Sequence, residues 1–318
     1  MKFLISVDTE ADYQRSSSDP LTLENIPGLS RFQALCDSFG FTPTYFITHE
    51  VAVNKEAASM LRSWQEKGTA EIGAHLHPWT TPPKEEKDVD LRFPSDVSTQ
   101  SLQAKLEVLT AAVTDATGVS PTSYRAGRWG FDNRQAEMLS SLGYIVDSSI
   151  TPKISWKKTI GDTGGNGGPD FRFSSTHPYV VEGKGKNILE LPMTVLFTGM
   201  YSSVRGILGK IFLSLPRSLF ITKVLNKLFF RLRWFRVFDR SVFSDWDALY
   251  TAAKKNDLPY IQFMIHSSEL SVGTSPYTKT PEALEHVYTH IEYIFTLLSK
   301  YNVESMSISS YAQSYKKI

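Results

Sequence analysis

The sequence begins with MKFLISVDTE, residues 1–10, in which a short apolar run ends at two carboxylates, Asp8 and Glu10. The apolar run predicts a buried strand over residues 3–8, with Asp8 at its C-terminal tip. Carboxylates two residues apart at a strand end project to the same side, so Asp8 and Glu10 can share a metal or divide acid–base work. Taken alone, such a pair would more often be a solvated loop pair.

Short apolar strands recur along the chain and alternate with amphipathic helices. The predicted helices cover residues 28–39, 55–67, 99–117, 132–142 and 281–299. The predicted strands after the first cover residues 42–48, 70–75, 122–125, 144–147, 188–191, 259–265 and 303–308. This alternation predicts an α/β fold with a parallel sheet, open or closed into a barrel. A chain of 318 residues can form one such barrel, so we expect a single domain over residues 1–318.

Composition and charge restrict the class of protein. The chain has 34 Lys and Arg against 33 Asp and Glu, so no overall field favours nucleic acid as a partner. Its single cysteine, Cys36, excludes an intramolecular disulfide and fits a buried thiol. The apolar run at residues 3–7 is too short for a signal peptide, and no window reaches the length of a membrane span. These features predict a cytoplasmic protein.

A pair of histidines lies at the end of the third predicted strand, in EIGAHLHPW, residues 71–79. One residue separates His75 from His77 on an extended segment, so both imidazoles project to the same side. This arrangement is a common way to bind zinc or another borderline cation. A lone histidine is usually structural, whereas two at this spacing favour a ligand role.

Polar side chains lie at the C-terminal tips of five predicted strands. They are Asp8, His75, Arg125, Asp147 and His266. In parallel α/β folds this edge of the sheet is where active sites form. The sequence therefore predicts an active site built from these tips.

Five short segments occur in a characteristic order along the chain. They are VDTE (7–10), GAHLHPW (73–79), RAGRWG (125–130), VDSS (146–149) and MIHSSEL (264–270). Together they resemble the five successive motifs of the polysaccharide deacetylase family, also called the NodB-homology family. The resemblance implies a single distorted (β/α) barrel that removes acetyl groups from amino sugars or esterified sugars. It also implies a divalent metal, for which we expect zinc.

Carried over position by position, the resemblance implies a role for each polar residue near the metal. Asp8 would be the general base, and Arg125 would hold it and tune it. Glu10, His75 and His77 would be the metal ligands. Three protein ligands leave positions open for water and for the acetyl oxygen.

The resemblance also implies roles on the leaving-group side of the site. His266 would be the general acid, and Asp147 would orient it and keep it protonated. Trp79 and Trp129 each adjoin a motif. They would either stack on a sugar ring of the substrate or pack in the core.

Two departures from the family pattern leave alternatives open. The family more often has aspartate where Glu10 stands, and it usually spaces its histidines as H-x-x-x-H, whereas His75 and His77 form H-x-H. One histidine could then line the pocket without binding metal. The alternatives to a deacetylase are a metal-independent amide hydrolase of small molecules on the same barrel and a noncatalytic carbohydrate-binding protein.

Residues 203–240 interrupt the alternation of strands and helices. This segment, the insert, is rich in Leu, Ile, Phe and Trp, and all its charged residues before Asp239 are basic. Basic and aromatic amphipathic segments can lie on anionic membrane surfaces. We expect either a helical pair that covers one end of the barrel or peripheral contact with the inner face of a membrane, where a glycolipid substrate would be found.

Overall fold

A computed structural model describes residues 1–13, 20–84, 91–159, 167–200, 207–216 and 219–315. Ten strands lie in these ranges: β1 (Lys2–Thr9), β2 (Thr44–Ile47), β3 (Glu71–Leu76), β4 (Ser123–Ala126), β5 (Val146–Asp147), β6 (Tyr179–Val181), β7 (Ile188–Glu190), β8 (Val195–Phe197), β9 (Leu232–Trp234) and β10 (Tyr260–His266). Eight of them form one curled sheet in the order β10-β1-β2-β3-β4-β5-β7-β6, in which β6 alone runs antiparallel to its neighbour. Strands β8 and β9 form a separate antiparallel pair.

Helices connect and cover the strands in the described part of the chain. They are α1 (Leu29–Phe39), α2 (His49–Ala52), α3 (Lys55–Glu66), α4 (Thr99–Thr117), α5 (Asn133–Ser141), α6 (Ile207–Ser214), α7 (Phe220–Leu225), α8 (Phe243–Lys255), α9 (Pro281–Lys300) and α10 (Ile308–Ser314). The sheet and its helices form the distorted (β/α) barrel that the sequence predicts. No helix within these ranges is both long and apolar enough to cross a membrane.

Local sequence signals set the ends of the helices. Helix α9 begins where Thr280 accepts a hydrogen bond from the backbone N–H of Ala283, and Pro281 occupies the first helical position, which needs no N–H donor. Helix α4 ends at Gly118, whose φ of 79° is left-handed and favours glycine. The predicted helix boundaries therefore agree with the structure to within a residue or two.

The barrel is distorted at β10, one edge strand of the sheet. No ladder pairs β10 with β7, and β10 contacts the chain after β7 through isolated hydrogen bonds. The Tyr260 hydroxyl donates to the Pro192 carbonyl (2.7 Å), and the Gln262 N–H donates to the Thr194 hydroxyl (2.8 Å). These bonds close the barrel without a regular strand pair.

Two predictions of secondary structure are wrong. Residues 303–308 form no strand, since Ser305 makes a single bridge to Phe3 and α10 begins at Ile308. The Ser307 hydroxyl accepts from the Ser310 N–H, and this cap starts a helix where the apolar residues suggest a strand. The insert is not simply a helical pair, because its last part forms β9, which pairs with β8. Residues 203–206 and 217–218 of the insert lie outside the described residues.

Candidate active site

The parallel ladders bring the strand tips together at one edge of the sheet. Asp8 lies opposite His266 in the β1–β10 ladder, and His75 lies opposite Arg125 in the β3–β4 ladder. A cavity of about 480 Å³ opens at this edge, and Asp8, Glu10, His75, His77 and His266 all line it. The side chains that are far apart in sequence thus share one site.

Glu10, His75 and His77 direct one ligand atom each toward a common point. The Glu10 Oε2 atom lies 2.9 Å from His77 Nε2 and 3.6 Å from His75 Nε2, and the two Nε2 atoms are 3.0 Å apart. Two imidazole nitrogens and a carboxylate oxygen form a donor set that zinc prefers. These three residues, which the motif resemblance gives as ligands, therefore fit a divalent metal.

The backbone fixes His75 in the orientation that a ligand needs. Its Nδ1–H donates to the carbonyl oxygen of Arg125 at 3.0 Å, so Nε2 carries the free lone pair that faces Glu10 and His77. Burial raises the pKa of Glu10, but the facing histidines outweigh that effect and hold the pKa well below its usual range. Glu10 is therefore an anion at neutral pH, as a metal ligand must be.

Asp8 and Arg125 form a buried ion pair beside the three ligands. Arg125 is fully buried, Asp8 is 2% exposed, and the Arg125 Nη1–H donates to Asp8 Oδ1. Arg125 is itself held by Ser148, whose carbonyl accepts from Nε at 2.8 Å. Burial raises the pKa of Asp8, but the charges of Arg125, His75 and His266 together outweigh it and the pKa is lowered. Asp8 thus stays ionised, with Oδ2 free of the guanidinium.

His266 is held by two residues that the sequence analysis did not single out. Arg236 donates from Nη2 to His266 Nδ1 (2.9 Å) and to Glu269 Oε1 (2.6 Å). The backbone N–H of His266 donates to Glu269 Oε2 (3.1 Å). The Nε2 atom of His266 then faces the site, 3.9 Å from both Asp8 Oδ2 and Glu10 Oε1.

The expectation that Asp147 orients His266 is wrong. The Asp147 carboxylate accepts from the Ser149 N–H (3.1 Å) and the Ser149 hydroxyl (2.6 Å), and it lies against Glu190. Burial raises the pKa of both carboxyl groups, and Glu190 is raised well above its usual range. A carboxylate committed to these partners cannot also hold His266.

Glu269 and Arg236 differ in how far the sequence could have indicated them. Glu269 lies three residues after His266 within MIHSSEL, the spacing of a reciprocal helix cap, which the structure contains. Burial raises the pKa of Glu269, but Arg236 and His266 together outweigh it and lower the pKa to about 2. Arg236 comes from the insert, 30 residues before His266, and no local pattern connects the two.

Aromatic side chains line the cavity around these polar groups. Trp79 stacks on the His77 ring with centroids 4.1 Å apart, and Trp129 packs edge-on against Trp234 at 5.3 Å. Both residues expected to bind substrate therefore lie at the site, and Trp156 and Trp234 line the same cavity. Flat apolar faces beside polar groups suit sugar rings, whose C–H faces stack on aromatic residues while their hydroxyls form hydrogen bonds.

Structural comparisons place this architecture among known proteins. The chain superposes on a Mycobacterium smegmatis protein assigned as a polysaccharide deacetylase with a TM-score of 0.58 and 16% identity, over 98% of this chain and 90% of that one. It has the fold of the polysaccharide deacetylases. This deacetylase fold also matches Puue allantoinase, with a TM-score of 0.52, 14% identity and coverage of 98% and 88%. A 4-alpha-glucanotransferase from Thermococcus litoralis matches with a TM-score of 0.55 and 12% identity, over 99% of this chain and 41% of that one. No family model matches the sequence, and no curated protein is significantly similar to it.

Proposed function

We propose that the chain is a metal-dependent hydrolase that removes acetyl groups from an N- or O-acetylated sugar of a glycan or glycolipid. One observation carries the proposal: a Glu10–His75–His77 ligand set lies beside a carboxylate, Asp8, that is paired with Arg125. The deacetylase fold and the aromatic cavity support a carbohydrate as substrate. Among divalent metals, zinc best suits two imidazoles and one carboxylate with open positions.

The residues around the ligand set divide the work of hydrolysis. A bound metal would polarise the acetyl carbonyl and acidify a water, with Glu10, His75 and His77 holding it. Asp8 accepts the proton of the attacking water at Oδ2, because Oδ1 is committed to Arg125. His266 faces the site through Nε2 and delivers a proton from that atom to the leaving nitrogen or oxygen. The cavity walls, including Trp79 and Trp129, position the sugar.

Acetate release tests the proposal. The native protein, loaded with zinc or cobalt, should release acetate from acetylated amino-sugar oligomers or from acetyl-esterified sugars. Exhaustive chelation should abolish the release, and added metal should restore it. Activity that survives chelation would instead favour the metal-independent amide hydrolase, for which the likeness to an allantoinase gives some support. Sugar binding without any turnover would favour the noncatalytic carbohydrate-binding protein.

A His266→Ala variant is expected to lower kcat by about 10²–10⁴-fold with little change in KM, because proton delivery matters mainly in the transition state. Steady-state kinetics with an unactivated substrate measures the effect. A substrate with a good leaving group needs no proton, so its kcat should fall far less. Equal losses in kcat for both substrates would contradict the role of general acid.

We also propose that the insert rests on an anionic membrane that carries the substrate. Several of its described apolar residues are exposed, with Phe220 at 82%, Ile221 at 57% and Leu228 at 59%, while Phe212 and Phe230 are buried. Lys223 and Lys227 are exposed on the same segment, and the insert has no acidic residue before Asp239. A surface that combines exposed apolar side chains with basic residues, and has no acidic residues, complements an anionic lipid surface.

The insert also reaches the active site. Strand β9 ends at Trp234, which lines the cavity, and Arg236 contacts His266. One segment therefore joins the exposed apolar helices to the cavity. This continuity favours a lipid-linked sugar as the substrate, and the predicted location at the inner membrane face would place the protein beside it.

Replacement of Phe220 and Ile221 by serine should weaken binding to vesicles that contain anionic phospholipid by at least about tenfold, since burial of each side chain contributes roughly 1.5–3 kcal/mol. Co-sedimentation at low and high salt measures this, and salt should weaken the native interaction. The control is Val119→Ser, which alters a residue 59% exposed after α4. Equal binding by native protein and the double variant would rule out this surface.

A further inference from the structure

Glu50 is a buried carboxylate that the proposed reaction does not use. It lies in the first turn of α2, directly after β2, and is 8% exposed. Both carboxylate oxygens are inaccessible, and neither has a hydrogen-bond partner among the described residues. An unpaired buried carboxylate is costly, so a native protein retains one only where another charge compensates it.

The topology places Glu50 between the two strands that supply the ligands. Strand β2 pairs with β1 on one side and β3 on the other. Glu10 follows β1, His77 follows β3, and Glu50 follows β2 at the same edge of the sheet. Glu50 and His77 line the same cavity.

The second nitrogen of His77 lacks the support that His75 has. The Nδ1–H of His75 donates to the Arg125 carbonyl, whereas the hydrogen bond and the ion pair of His77 both involve Nε2. Metal-bound histidines almost always donate their other N–H to a carboxylate, a carbonyl or a water. Within the described part of the chain, Nδ1 of His77 thus has no acceptor and the Glu50 carboxylate has no donor.

The net charge of the metal site also supports a role for Glu50. A divalent cation held by Glu10 and two neutral histidines leaves a net charge of +1, because Asp8 is already neutralised by Arg125. A second anion near the ligands would cancel that charge. Glu50 is placed to supply it.

We propose that Glu50 is a positioning residue of the metal centre, which orients His77 through its Nδ1–H, directly or through one water, and compensates the charge of the cation. This inference rests on the proposed function, because it requires the metal. It adds a residue that the motif resemblance does not indicate.

The test is the zinc affinity of the Glu50→Gln variant, measured by competition with a chelating indicator, together with thermal unfolding of the metal-free protein. Loss of a supporting carboxylate should weaken zinc binding by about 10–100-fold. Without metal, the variant should unfold at the same temperature as the native protein or higher, because an unpaired buried charge has been removed. A merely structural role for Glu50 would give the opposite sign, a lower unfolding temperature.

Two further variants serve as controls for Glu50→Gln. Glu50→Asp keeps the charge and should retain most of the zinc affinity. Glu56→Gln, which changes an exposed glutamate six residues later, should bind zinc like the native protein. Zinc affinity of Glu50→Gln within about twofold of native, against the 10–100-fold loss expected, overturns the role of Glu50 alone. Native protein that binds no zinc overturns the metal centre and the role of Glu50 together.

Discussion

Replacement of Asp8 by asparagine is expected to lower kcat by about 10²–10⁴-fold, the contribution typical of a general base. Asparagine has the same shape and can still accept the Arg125 hydrogen bond, but it cannot take a proton from water. Because the proposed ligands are Glu10, His75 and His77, and not Asp8, the variant should keep its zinc. Steady-state kinetics and metal analysis of the same preparation measure both properties.

The control for this variant is Asp115→Asn, which alters an exposed aspartate on α4. It should match the native protein in both measurements. Turnover by Asp8→Asn within a few-fold of native would contradict the assignment of the base. Loss of zinc along with turnover would show that Asp8 is a ligand, and the division of roles between Asp8 and Glu10 would be wrong.

Replacement of Arg125 by methionine is expected to lower the free energy of unfolding by about 3–5 kcal/mol, because it leaves the buried Asp8 carboxylate unpaired. The hydrogen bonds from Arg125 to Ser148 would be lost as well. Urea unfolding at neutral pH measures the change. The double variant Arg125→Met with Asp8→Asn should regain part of the lost free energy of unfolding, because it removes the unpaired Asp8 charge.

The pH dependence of stability should change sign in the Arg125→Met variant. In the native protein the pKa of Asp8 is lowered, so its contribution to stability is present above the unfolded pKa and is lost as pH falls through the folded one. Without Arg125, only His75 and His266 oppose the effect of burial, so we expect the pKa of Asp8 to rise above its unfolded value. Asp8 then destabilises the fold at neutral pH, and acidification through the raised pKa relieves this. In the double variant, losses of unfolding free energy from Arg125→Met and Asp8→Asn that simply add would contradict the ion pair between these residues.

Much of the site could be predicted because its residues lie at strand ends. An apolar run that stops at a polar residue locates a strand tip, and parallel ladders bring such tips to one edge. Asp8, His75 and Arg125 meet in the structure for this reason. The helix signals were local too, as at Thr280 and Gly118.

The rest depends on contacts between residues distant in sequence. Arg236 reaches His266 only because β9 pairs with β8 and the chain then passes beside β10, where the Met264 N–H donates to the Phe235 carbonyl. Asp147 has the expected position at a strand tip, yet Ser149 and Glu190 engage its carboxylate. A motif identifies the residue types, whereas the partner of each side chain is set by packing.

All the proposed roles require that Glu10, His75 and His77 hold one divalent cation. X-ray absorption at the zinc edge, on zinc-loaded protein with the bound metal counted in the same sample, measures whether they do. We predict one zinc per chain with two imidazole nitrogens and oxygen ligands, and one imidazole fewer in His77→Ala. A spectrum without two imidazoles, or one that His77→Ala leaves unchanged, would contradict the claim.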